Sequence, residues 1–122
     1  MEAKIKLIDE AFLATLVEEL PMRDLEACLT QMIEAMTDAA DNVVTSVLNR
    51  AWTSAANHCH EIQIMAASMH IKAVSDLAHT CSILVKKQNK QPFVDQFASL
   101  FKMLNLVQAS CQEILDDLAH DV

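Results

Sequence analysis

Residues 92–118, PFVDQFASLFKMLNLVQASCQEILDDL, decide the fold. Phe93, Phe97, Leu100, Leu104, Val107, Cys111, Ile114 and Leu118 recur in unbroken steps of four and three, which places them along one stripe of an α-helix. A seam of that kind is buried against other helices.

The same spacing continues upstream. The polar run 86–91, KKQNKQ, reads as a loop that separates the last helix from a fourth one. The fourth helix carries Ile71, Val74, Leu77, Ala78, Cys81, Leu84 and Val85, with Ser68 in the place of its N-cap. A third helix is predicted from about Trp52 to Ala67, with Ala55, Cys59, Ile62 and Ala66 on one face. Before it, a tight connection falls near Asn49, Arg50 and Ala51, where the apolar pattern of the second helix weakens. That second helix carries Leu25, Leu29, Met32, Met36, Ala39, Val43 and Ser46, and Pro21 suits its first turn. Ile8, Phe12, Leu13, Leu16, Val17 and Leu20 mark a short amphipathic first helix, placed as a lid.

Composition agrees with these spacings. The chain of 122 residues has no glycine and only two prolines, Pro21 and Pro92, a balance that suits helices and disfavours hairpins. The expected fold is therefore all-α: an up-down antiparallel four-helix bundle with an additional short N-terminal helix, in a single domain over residues 1–122.

Charge and cysteine usage narrow the function classes. A formal net charge of -8 argues against nucleic acid, since Lys86, Lys87 and Lys90 form the only basic cluster and sit where a helix end is expected. Cys28, Cys59, Cys81 and Cys111 never form a CxxC pair and fall at apolar helical positions, so they read as reduced core thiols. No signal-peptide pattern opens the chain, and no apolar run is long enough for a membrane span, so the expected compartment is the cytoplasm.

Three of the five histidines lie in one segment, residues 57–71, NHCHEIQIMAASMHI. His58 and His60 project about 200° apart on a helix and cannot serve one metal ion. His70 and His79 lack a histidine partner at helical spacing, and His58, His79 and His120 read as ordinary, partly exposed side chains. A hydrolase needs a nucleophile, a base and an oxyanion site built on loops, which a glycine-free helical chain does not supply. His60 remains, aligned with Ala56, Gln63, Ile64 and Ala67. Its competing reading is a surface histidine without chemistry.

Segments 51–64 and 69–78, AWTSAANHCHEIQI and MHIKAVSDLA, resemble the histidine phosphotransfer (HPt) domain family, and residues 9–16 resemble that family's opening helix. His60 stands at the phospho-acceptor position, Ile62 at its apolar +2, and Met69, Val74 and Leu77 are in register. Gln63 stands where the family usually has Lys, while Ile64 and His70 stand where it has Gly.

The resemblance implies a phosphocarrier, rather than a conventional enzyme, in a two-component phosphorelay. His60 would accept the phosphoryl group, Gln63 would hydrogen-bond its oxygens, and Ala56, Ile64, Met65 and Ala67 would form the docking surface. It also implies a response-regulator receiver domain or a hybrid sensor histidine kinase as partner. No cofactor is expected in this chain, because the Mg²⁺ belongs to the receiver. A second reading is a pseudo-HPt adaptor that binds such a domain without carrying phosphate. A third is a helical oligomerisation module that buries His60.

Overall fold

The computed structural model describes residues 10–120. Five helices follow one another: α1 (Glu10–Glu19), α2 (Met22–Leu48), α3 (Trp52–Ser68), α4 (Lys72–Lys86) and α5 (Lys90–His120). Among the described residues there is no strand, so the all-α expectation holds. Ile8, and the side chains of Leu13, Leu118 and His120, lie outside the described part.

α2 packs on α3, α3 on α4, α4 on α5, and α5 returns to α2, while α1 rests on α2. Leu25, Leu29, Met36 and Val43 of α2 meet Ile62 of α3, Val74 and Val85 of α4, and Leu100 and Val107 of α5 in one continuous core. Phe12 and Leu16 of α1, and Leu20 just after it, pack against that core half-buried. The Phe12 ring stacks on His70 at 4.7 Å between centroids, which ties α1 to the turn between α3 and α4.

At its C-terminal end the α5 seam departs from its expected register. Leu115 is buried at 6% exposure, whereas Ile114 is only half-buried. An α-helix turns every 3.6 residues rather than 3.5, so over three heptads the buried stripe drifts toward the next residue. α5 also begins two residues before Pro92, not after it. Proline is tolerated there because the first-turn amides have no carbonyl four residues back to bond.

The turns are the part the sequence hid. Each of the three connections between α2 and α5 ends its helix on a non-glycine residue at positive φ: Arg50 at 58°, His70 at 58° and Gln88 at 56°. Their hydrogen bonds repeat. Arg50 N–H donates to Val47 O and Ala51 N–H to Ser46 O; His70 donates to Ala67 O and Ile71 to Ala66 O; Gln88 donates to Val85 O and Asn89 to Leu84 O. These are Schellman caps, which satisfy the last carbonyls of a helix and reverse the chain within three residues.

Ser68, expected to cap α4, does not do so. It closes the last turn of α3, its hydroxyl donating to Met65 O at 2.7 Å, and Ile71 occupies the cap position of α4 without a side-chain bond. The Schellman turn consumes residues 69–71 and so moves the start of α4 past the serine.

Candidate functional site

α3 lies between α2 and α4 and therefore buries a wide arc. Ala55, Cys59, Ile62 and Ala66 define its centre, all at 0% exposure. His60 projects about 100° from Cys59 and emerges into solvent. Ile64 and Ala67, each within about 40° of His60, emerge beside it.

Two other residues expected on the docking surface do not join them. Ala56 is buried at 1% exposure. It lies about 40° from His60 on the core side, and a methyl side chain at that flank disappears beneath the neighbouring helix. Met65 projects about 140° from His60 and packs half-buried against the core on the opposite flank. A partner approaching His60 therefore meets Ile64 and Ala67, with Ala56 as support underneath.

Gln63 is half-buried, and its Oε1 lies 3.3 Å from His60 Nδ1. With the amide oxygen facing the ring, the tautomer that makes this hydrogen bond carries its proton on Nδ1, as donor. The lone pair then resides on Nε2, the nitrogen remote from Gln63. In this arrangement the amide acts on the imidazole first and leaves its NH₂ group as a donor for an anion.

His58 has a different partner. Its Nδ1 lies 2.6 Å from Glu61 Oε1, one helical turn away, and its side chain is 29% exposed. A carboxylate holds that ring against the helix. The His-x-x-Glu spacing places the two side chains on one face of the helix. His79 on α4 is exposed, as is His70, whose ring is taken up by stacking on Phe12.

Cys59 and Cys81 are buried neighbours on α3 and α4, and burial pushes both thiols up to about 12, with each other's charge adding to the shift at Cys59. Cys111 is raised to about 11 by burial. All four cysteines are free, and Cys28 is only half-buried, a partial departure from its expected place in the core. Thiols held this far above neutrality are poor nucleophiles and poor metal ligands. Among the described residues no three His, Cys, Asp or Glu side chains gather as a metal site. No helix there is long and apolar enough to cross a membrane.

A cavity of about 560 Å³ at the opposite end from α1, where Arg50, Trp52, Thr53 and Ser54 face Lys86 and Gln88, is not legible in the sequence. The residues belong to two turns far apart in sequence, and only the packing order brings them together. The chain matches no protein-family model, and neither a curated protein nor a solved structure matches it.

Proposed function

We propose that this protein is a histidine phosphotransfer carrier in a His-to-Asp phosphorelay, with His60 as the phospho-acceptor. The observation that supports it most is the setting of His60, which is exposed on α3 with Nδ1 beside the Gln63 amide, an arrangement that leaves Nε2 as the nucleophile. In transfer, Nε2 attacks the phosphorus of a receiver aspartyl phosphate. The N–P bond forms, the acyl P–O bond breaks, and the aspartate leaves as carboxylate. The attacking nitrogen carries no proton, so none has to be removed. The cation that forms keeps its Nδ1–H on the Gln63 oxygen, where a charge-assisted hydrogen bond favours it.

The packing order α2–α3–α4–α5–α2, with three-residue turns between successive helices, suits an up-down antiparallel four-helix bundle with α1 as an added lid. His70 also fits the resemblance. It occupies a left-handed backbone position, the conformation for which the family's glycine is suited. The receiver partner would supply Mg²⁺ and the acidic pocket, and the carrier a positioned nucleophile.

A second reading, an adaptor that docks a receiver or kinase domain without carrying phosphate, draws on Ile64. This branched side chain is 56% exposed one turn from His60 and narrows the approach to Nε2.

One experiment separates the two. A phosphorylated receiver domain is incubated with the chain, and an acid-labile, base-stable label is followed. Carrier function requires label on the wild type and on His58→Gln, and none on His60→Gln. A receiver that labels a control phosphotransfer domain but leaves this chain unlabelled, while still binding it, establishes the adaptor.

A further inference from the structure

α5 stands across the shared core from α3, the two backbones nowhere adjoining among the described residues, so the face α5 forms with α2 is separate from the His60 surface. That face is unusually apolar. Phe93, Phe97 and Phe101, three of the chain's four phenylalanines, run down α5 as a ladder with centroid separations of 5.5 and 6.2 Å. Opposite them stand Val44 and Leu48 of α2, at 42% and 77% exposure, with Val94 at 53% and Phe101 at 40% on the α5 side. Between the two helices runs a groove of about 350 Å³, continuous through Val47, Leu48, Phe93 and Val94 with a second hollow of about 270 Å³. Single exposed apolar residues are ordinary, whereas a contiguous groove of them marks a contact surface.

Charge identifies the occupant. The second hollow is rimmed by Arg50 and Lys90, and Lys86 and Arg50 both line the adjoining cavity. With Lys87, four of the chain's nine basic residues collect at this end of a molecule whose net charge is -8. A groove that is apolar along its length and cationic at one end complements an amphipathic helix whose last turn carries carboxylates. The negative end of that helix's dipole would also lie on the cations. The lining on α5, residues 93–101, extends about 12 Å, room for two helical turns and anchors at i, i+3 or i+4, and i+7.

We infer that the α2–α5 groove is a docking site for an amphipathic partner helix with an acidic C-terminal turn, oriented with that turn against Arg50 and Lys90. The site is independent of the chemistry at His60. Exposed Leu48 and Val94 provide the anchoring contacts, and the cations fix the direction.

The test uses the full chain and a fluorescein-labelled synthetic helix of about five turns with leucines at i, i+3, i+4 and i+7 and glutamates in its last turn. Saturable anisotropy binding is expected. Leu48→Asp and Val94→Glu, both at exposed positions and checked for unchanged helical circular dichroism, should each weaken it about tenfold or more. Lys90→Glu should weaken it severalfold, as should a probe with lysines in its last turn, and that probe should regain affinity on Lys90→Glu. Absence of saturable binding overturns the inference, as does binding that Leu48→Asp and Val94→Glu leave unchanged. It is equally overturned in favour of a second copy if the chain sediments as a dimer that Leu48→Asp makes monomeric, and in favour of a lipid surface if only vesicles of anionic lipid bind.

Discussion

Ile64 is the exposed branched side chain beside His60. It stands one turn along α3 on the same side, 56% exposed, and so contributes little burial to the fold. Ile64→Ala should accordingly leave stability within about 0.5 kcal/mol. On the proposed carrier role, the same substitution should raise phosphoryl transfer to His60 about fivefold, the effect of lowering the barrier by about 1 kcal/mol. Urea titration and single-turnover labelling measure the two quantities, and a slower transfer would make Ile64 a docking contact instead of an obstruction. Helical geometry alone separated His60 from His58 and put Ile64 and Ala67 beside it. It failed at Ala56, because angular position gives the direction of a side chain but not how far the flanking helices reach around it. A methyl group about 40° from His60 is covered where a longer side chain would emerge.

Helix ends carry the structural lesson at the scale of elements. Periodicity located all five helices, because apolar spacing is written in the residues themselves, but the boundary signals it relied on were proline, a polar run and a capping serine. This chain closes α2, α3 and α4 with identical Schellman turns and puts arginine, histidine and glutamine at the left-handed position. Nothing in those side chains announces the turn. The conformation is imposed by the packing of successive helices, at a backbone cost of about 1 kcal/mol or more for each residue. Gln88, exposed at φ 56°, is the clearest test. Gln88→Gly should stabilise the protein by about 0.5–1 kcal/mol, after allowance for the greater freedom of glycine in the unfolded chain, and should raise the Tm by about 2–5 °C. Gln31→Gly, at an exposed position inside α2, should instead cost about 1 kcal/mol. Calorimetry on both variants reads the contrast, and a loss of stability in each would mean that the turn gains nothing from glycine.

The molecule as a whole is a closed ring of four helices with one apolar interior, and that interior contains thiols where a more ordinary core would have only hydrocarbon. The stripes in the sequence foretold this interior, including Cys59, Cys81 and Cys111 within it; the α2–α5 groove was not legible, because it depends on which two stripes fail to close against each other. The buried thiols give the fold a pH dependence of definite sign. Unfolded, each ionises near its ordinary value of 9.0; folded, Cys59 and Cys81 keep their protons to about 12 and Cys111 to about 11. Above pH 9 the unfolded state therefore binds fewer protons than the native state, and stability falls as pH rises toward 11 to 12, by at most about 1.4 kcal/mol per pH unit for each thiol. Below pH 8 the three contribute no slope. Urea midpoints measured at pH 7.5, 9 and 10 should decline above pH 9, and Cys59→Ala, Cys81→Ala and Cys111→Ala should each remove part of that decline while lysine ionisation remains common to all. An identical decline in the wild type and in every one of the three variants would show that the thiols are solvated in the folded state and that the core at α3 and α4 is open to water.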